Sequence, residues 1–279
     1  PAAHSQTEKW PARPVRVVAP VSPGSSTDIV ARMLTRRLSE EFGQRFIVDN
    51  RAGAGGTIGA AIVAQAIPNG YTIGVGSGSY AATAALQELP YDPIKGIAPI
   101  AMITDGPMIL AAHPSVKATN LTELIELARA KPHALLFGST GAGSMAHFAI
   151  ALLQQETKTN MQHVPFKGAN PAIIALRGGE IQFAFVTAPT AIPHIKTGEL
   201  RGIAVTSEQR SPAMPDLPAI SELVPGYSAN VWTGMWAPAG TSKEIISQLN
   251  RAIERFLKQP DVQKRLRADS REPAYSTPE

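Results

Sequence analysis

The sequence VRVVAPVSPGSSTD at residues 15–28 and the sequence ALLFGSTGAGS at residues 134–144 decide the fold. Each begins with a short apolar run, continues through glycine and hydroxyl residues, and ends where a helical pattern begins. The order strand, small-residue turn and helix directs free backbone N–H groups and a helix N-terminus at the space before the turn, which favours an anion. Two such loops, far apart in the chain, predict two lobes that hold one anionic ligand between them.

The composition narrows the class of protein. The chain has 279 residues, of which 44% are hydrophobic and 17% charged, as in a globular protein of two domains. The net charge is +4, but the basic residues form no cluster with aromatic residues, which argues against a nucleic-acid partner. The chain contains no cysteine, so disulfides, thiolate metal sites and cysteine nucleophiles are excluded.

Strand and helix patterns alternate along almost the whole chain, which predicts an α/β fold with mixed sheets. Predicted strands cover residues 15–21, 46–50, 71–76, 97–103, 108–112, 134–137, 162–165, 181–186, 202–206 and 231–237. The turn at residues 104–107 and the proline-rich stretch around residues 212–225 predict two crossings between lobes. Lobe 1 is therefore expected to comprise residues 1–104 and 225–279, and lobe 2 residues 105–224.

The hydroxyl groups of the two loops are the first candidates for ligand contact. Simple N-capping of the following helix, with Asp28 in its first turn, is the alternative for the first loop. Neither loop has the spacing of a nucleotide-binding fingerprint. The glycine-rich run at residues 53–59 is explained at least as well by tight packing as by ligand contact.

Catalytic and metal-binding patterns are missing from the sequence. There is no G-x-S-x-G motif, and the histidines lack metal-ligand spacing, so neither a metal nor a cofactor is predicted. His147 follows Ser144 on one helix face and is a cleft candidate, although a structural hydrogen bond is favoured. Lys167 is either a partner for an anion or a solvated side chain. An α/β enzyme that holds a phosphate or carboxylate with the same loops is the alternative function.

The chain resembles the extracytoplasmic solute-binding receptors of tripartite tricarboxylate transport systems, the Bug or TctC-like proteins. Segments characteristic of this family occur in the family's order over nearly the whole chain, and their combination is specific for the family. They are residues 15–20, 23–28, 48–56, 68–72, 138–147, 163–168, 198–206 and 232–240.

The resemblance implies a two-lobed, type II periplasmic-binding-protein-like fold, with a mixed sheet in each lobe and two hinge crossings. It implies a periplasmic, monomeric receptor without catalysis or cofactor, whose partners are a small carboxylate and the transporter's membrane subunits. The polar start of the chain fits a signal peptide that has been removed. Carried over by position, the ligand contacts are Val21, Ser22, Pro23, Ser25 and Ser26, with Ser77 and Ser79 nearby, and Ser139, Thr140, Ser144, His147 and Lys167 from the second lobe.

Two positions depart from the family pattern. Ser25 replaces the second glycine of the usual Pro-Gly-Gly, and Thr187 stands where amino-acid-binding relatives often have an aspartate. An ammonium group would lack its partner at Thr187, so the expected ligand has no positive charge and is an aliphatic or aromatic mono- or dicarboxylate. A sensor-associated binding module would share this pocket and differ only in its partner.

Overall fold

The chain is described by a computed structural model that covers residues 10–278 except residues 84, 85 and 87. The first nine residues, at the start of the predicted lobe 1, lie outside this description. In chain order the elements are β1 (Val15–Ala19), α1 (Ser26–Phe42), β2 (Phe46–Asn50), α2 (Thr57–Ala64), β3 (Thr72–Gly76), α3 (Ser79–Ala82), β4 (Ile97–Asp105), β5 (Met108–Ala112), α4 (Leu121–Ala130), β6 (Leu136–Ser139), α5 (Met145–Thr157), β7 (Gln162–Pro165), α6 (Ala169–Arg177), β8 (Phe183–Thr187), α7 (Ala188–Lys196), β9 (Arg201–Val205), β10 (Thr233–Pro238), α8 (Lys243–Leu257), α9 (Pro260–Ala268) and β11 (Glu272–Pro273).

Within the described residues, the strands form two mixed sheets. The first has the order β11-β4-β10-β3-β1-β2, and the second has the order β7-β6-β8-β5-β9. In the first sheet β1, β2 and β3 are parallel, and β10 runs antiparallel to β3. In the second sheet β6, β7 and β8 are parallel, and β5 runs antiparallel to β8. The two sheets therefore repeat one topology, in which β1 and β6 hold equivalent positions.

Each sheet has its own hydrophobic core. Val15, Leu34 and Ile253 belong to a buried cluster between the first sheet and helices α1 and α8. Leu110 and Ile150 belong to a separate cluster on the second sheet. This packing accounts for the helical spacing of apolar residues in α1 and α8, because only one face of each helix is covered by a sheet.

Over the residues that the structure describes, the chain crosses between the sheets twice. The first crossing is the short link between β4 and β5, where Gly106 has no room for a side chain: a Cβ there would lie 2.6 Å from the carbonyl oxygen of Ser270. The return crossing precedes β10. Tyr227 and Val231, which lie beyond the predicted boundary at residue 225, are buried in the core of the second sheet. The second core therefore extends close to the start of β10 at Thr233.

Most predicted strands begin and end within two or three residues of the observed strand ends. β1 ends at Ala19 and not at residue 21, because Pro20 cannot donate a ladder hydrogen bond. β6 begins later than predicted, at Leu136, since His133 has a positive φ of 61° and the chain turns before the strand. No helix of the described residues is long and apolar enough to cross a bilayer.

Candidate functional site

The loops that follow the parallel strands of both sheets face one another across a cavity. Ligands of open α/β sheets bind at the carboxyl ends of such strands, where the following helices begin. The cavity is lined from the first sheet by Pro20, Val21, Ser22, Ser25, Ser26, Thr27, Ala52, Gly53, Gly55, Gly56, Ser77, Ser79 and Tyr80. It is lined from the second sheet and the crossings by Met108, Thr140, Ser144, Met145, Ala146, Gly168, Ala169, Phe185, Val186, Thr187, Thr190 and Val231.

The two sides of the cavity are in contact. The Thr83 hydroxyl lies 3.3 Å from the carbonyl oxygen of Gly143, and the backbone N–H of Met145 donates to the Ser79 hydroxyl at 3.3 Å. At Gly55, which has a φ of +66°, an added Cβ would lie 2.7 Å from the carbonyl oxygen of Ala142. The structure is therefore a closed form, in which the glycine loop after β2 packs directly on the loop after β6.

The first loop is both a helix cap and a lining of the cavity. The Ser25 hydroxyl accepts from the N–H of Asp28 at 3.4 Å and so caps α1. The Asp28 carboxylate turns away from the cavity and accepts from the N–H of Gly24 at 2.9 Å and from Asn50 at 2.8 Å. Burial raises the pKa of Asp28, but hydrogen bonds from Arg32, Asn50 and Gly24 outweigh it, and the net pKa is lowered. Asp28 is thus an ionised group that orders the loop.

Backbone donors at the start of α1 remain for a ligand. Among the described residues, the N–H groups of Ser26 and Thr27 have no acceptor, as expected in the first turn of a helix. Both residues line the cavity. The N-terminal residues of α5, α6 and α7 line it as well, so four helix dipoles present their positive ends to one space.

The second loop is held from behind by two histidines. The Ser139 hydroxyl lies 2.7 Å from His163 Nε2, and the N–H of Gly143 donates to His147 Nδ1 at 3.3 Å. Neither Ser139 nor His147 lines the cavity, whereas Thr140 and Ser144 do. Burial lowers the pKa of His147, so its ring is a neutral support for the loop.

Pro23 and Lys167 also lie outside the cavity lining. Pro23 is exposed at the outer side of its loop. Lys167 is exposed and lines a separate crevice with Phe166, Gly53 and Ala54, beside the contact between the two loops. Of the predicted contacts, the structure therefore brings together Val21, Ser22, Ser25, Ser26, Ser77, Ser79, Thr140, Ser144 and Thr187.

The lining combines polar donors with apolar walls. Among the described residues that line the cavity there is no Asp, Glu, Lys, Arg or His. Met108, Phe185 and Val231 are buried and supply an apolar surface between the loops. The arrangement suits a small molecule that has an acidic group for the N–H and hydroxyl donors and a hydrocarbon body for the walls.

Several lining residues were missed by reasoning from the sequence. Tyr80 stacks on Trp236 with ring centroids 4.9 Å apart, and Thr190 follows Thr187 in the first turn of α7 with their hydroxyls 3.1 Å apart. Gly53, Gly55 and Gly56 also line the cavity, at positions where the sequence is explained at least as well by tight packing as by ligand contact. The repeated topology is a signal for all of these residues. Each one follows a parallel strand, and the equivalent strand of the other sheet leads into a loop with predicted ligand contacts.

Comparisons with known proteins agree with this geometry. The family model described as "Tripartite tricarboxylate transporter family receptor" matches residues 30–278. Protein BugT of Bordetella pertussis is 35% identical over an alignment that covers 100% of this chain and 86% of BugT. A UPF0065 protein from the tcbD-tcbE intergenic region of Pseudomonas sp. strain P51 is 33% identical, covering 98% of this chain and 82% of its own length.

Solved structures give the same result for the fold. R. palustris Rpa4515 with adipate has a TM-score of 0.92 and 35% identity, covering 96% of this chain and 91% of that one. MatC from Rhodopseudomonas palustris with bound malate has a TM-score of 0.89 and 34% identity, covering 94% and 90%. The predicted two-lobed α/β fold is confirmed. Since both the family model and these relatives span nearly the whole chain, the protein belongs to the receptor family of tripartite tricarboxylate transporters.

Proposed function

We propose that this receptor binds a small carboxylate that lacks a positive charge and delivers it to the membrane subunits of a tripartite tricarboxylate transporter. The observation that carries the proposal is the cavity itself, which combines the N-terminal ends of four helices, a set of hydroxyl groups and apolar walls, with no charged side chain in the described lining. The solved structures of related chains with adipate and with malate support the same class of ligand.

The binding contacts are assigned to both sides of the cavity. The N–H groups of Ser26 and Thr27 and the hydroxyls of Ser22 and Ser25 hold one carboxylate from the first lobe. Thr140 and Ser144 approach from the second lobe, and Thr187 lines the far wall without an aspartate that would pair with an ammonium group. Ser77 and Ser79 support the first-lobe contacts, and Val21 packs beside them.

The lobes in this proposal are the two sheets with their helices, joined by the β4–β5 link and by the segment before β10. The ligand stabilises the closed form because it contacts both lobes at once, so closure is a shift in population. The receptor acts in the periplasm as a monomer and catalyses no reaction. His147, the base that an enzyme would require, lies behind the second loop and outside the cavity lining.

Isothermal titration tests the class of ligand. Hexanoate, benzoate, adipate and malate are titrated into the purified receptor, with aspartate and glutamate as amino-acid counterparts. Binding of at least one of the four acids, with no comparable response to either amino acid, is expected. Tight binding of aspartate or glutamate with no response to any of the four acids would overturn the proposal.

A further inference from the structure

The structure holds an arginine buried directly beneath the first loop. Arg271, just before β11, has only 4% of its surface exposed. Its Nε donates to the Ser26 hydroxyl at 2.6 Å, and its Nη1 donates to the hydroxyls of Thr104 at 2.8 Å and Thr233 at 3.2 Å. All three acceptors are neutral, so these hydrogen bonds from Nε and Nη1 do not neutralise the charge of the guanidinium.

Within the part of the chain that the structure describes, no carboxylate compensates this charge by direct contact. Among the described residues Arg271 forms no ion pair, and Asp269 and Asp105 favour its charged form only by electrostatic attraction without contact. Asp105 accepts a hydrogen bond from Asn230 at 2.9 Å, and Asp269 pairs with Arg265 at 3.2 Å. Burial lowers the pKa of Arg271 to about 10, which leaves the guanidinium protonated at neutral pH. A buried cation without a contacting anion is costly in free energy.

Ser26 connects this cation with the cavity. Its oxygen accepts from Arg271, so its own hydroxyl proton is free to donate in another direction. Ser26 also lines the cavity, and its backbone N–H has no acceptor among the described residues. A hydroxyl that accepts from a cation is polarised and becomes a stronger donor to an anion.

We propose that Arg271 is the buried countercharge of the anionic ligand and acts on it through the Ser26 hydroxyl. Arg271 is a positioning residue in this role, because it lies behind the lining and does not touch the ligand. The inference rests on the proposed function and deepens it: the receptor prefers a carboxylate to its neutral isostere although no cationic side chain lies in the described part of the lining. The same guanidinium also ties the ligand loop to β4 and β10, the two strands that adjoin the crossings.

The test compares each acid with its uncharged form. Hexanoate, benzoate, adipate and malate are titrated beside their primary amides into the wild type and the variants Arg271→Met, Arg271→Lys and Ser26→Ala. Arg267→Met is the matched control, because it removes the same charge from an exposed arginine of α9. The readout is the ratio of acid affinity to amide affinity, which a general loss of stability would not change selectively.

Arg271→Met is expected to reduce the acid-to-amide ratio about tenfold, with Arg271→Lys in between and Arg267→Met at the wild-type value. Ser26→Ala is also expected to reduce the ratio. If Arg271→Met does not fold, the result for Ser26→Ala decides the test. An unchanged ratio in Arg271→Met, or in Ser26→Ala when that variant carries the test, overturns the role of Arg271 and leaves the proposed function standing. A wild type that binds none of the four acids overturns both.

Discussion

The imidazole rings of His147 and His163 stack with their centroids 4.1 Å apart and their planes 9° apart. Burial, together with the neighbouring His147, lowers the pKa of His163 to about 4. Both rings are thus neutral at neutral pH, and they hold the second loop through Ser139 and Gly143. Two histidines near the proposed carboxylate site would suggest that they are cationic partners of the ligand. Their shared contacts instead position the second loop.

The stability of the protein should depend on pH through His163. The pKa of His163 is about 4 in the folded protein and 6.5 in its ordinary range, so the unfolded state binds more protons between these values. Stability is therefore lost as the pH falls from about 6.5 to 4. Between pH 7 and pH 4.5 the wild type should lose about 1–2 kcal/mol more than His163→Gln, allowing for partial solvent screening of this half-buried ring. Urea unfolding at both pH values measures this difference, and parallel losses in the two proteins would contradict it.

Gly55→Ala should oppose closure of the lobes. The new Cβ would lie 2.7 Å from the carbonyl oxygen of Ala142 across the contact between the loops. We expect binding of the acid selected by titration to weaken about tenfold, which is about 1.4 kcal/mol. Small-angle scattering should show a larger radius of gyration for the variant in the presence of that acid.

Gly43→Ala is the control for this variant. Gly43 has a φ of +68°, close to the +66° of Gly55, but an added Cβ there meets no atom within 4 Å. It should cost about 1 kcal/mol of stability from the left-handed backbone alone and leave affinity unchanged. Equal affinities for the two alanine variants would show that Gly55 has no part in closure.

Ser144→Ala should weaken binding by about 1–2 kcal/mol, the usual contribution of a hydrogen bond to a charged group. Ser144 also caps α5, with its hydroxyl 3.3 Å from the N–H of His147, so stability should fall as well. Asn120→Ala separates the two effects, because Asn120 caps α4 through the N–H of Glu123 and does not line the cavity. Calorimetric titration should give the wild-type affinity for Asn120→Ala, and a wild-type affinity for Ser144→Ala would remove Ser144 from the site.

Tyr227→Phe should destabilise the segment before the return crossing. The Tyr227 side chain is 1% exposed, and its hydroxyl donates to the carbonyl oxygen of Ala149 in α5 at 2.9 Å. Loss of this donor should lower the free energy of unfolding by about 1 kcal/mol in urea titration. The Tyr275 hydroxyl also donates, to Asn250 Oδ1 at 2.7 Å, but Tyr275 is 41% exposed. Because water can replace a partner at an exposed residue, Tyr275→Phe should cost less, and a reversed order would refute the assigned role of the buried hydroxyl.

The sequence was sufficient for those parts of the site that depend on local pattern. Apolar runs followed by small residues predicted both loops, because a strand, a tight turn and a helix cap are determined by neighbouring residues. The side of each loop that a residue faces depends on tertiary contacts. Ser139 and His147 face away from the cavity because both contact His163 on the next strand. The Ser139 hydroxyl is hydrogen-bonded to the His163 ring, and the His147 ring stacks on it.

Arg271 illustrates the limit of such reasoning more clearly. It lies in a polar segment near the end of the chain, and its partner Ser26 is 245 positions away. Nothing in the local pattern distinguishes it from the exposed arginines of α9. Its burial follows from the pairing of β11 with β4, which brings the end of the chain beside the first loop.

The order of strands in the first sheet governs when it can be completed during synthesis. β10 lies between β3 and β4, whereas the second sheet uses only strands between Met108 and Val205. The ribosome therefore releases every strand of the second sheet before it releases the strand that joins β3 to β4. A nascent chain can therefore complete the second sheet while the first sheet still lacks β10.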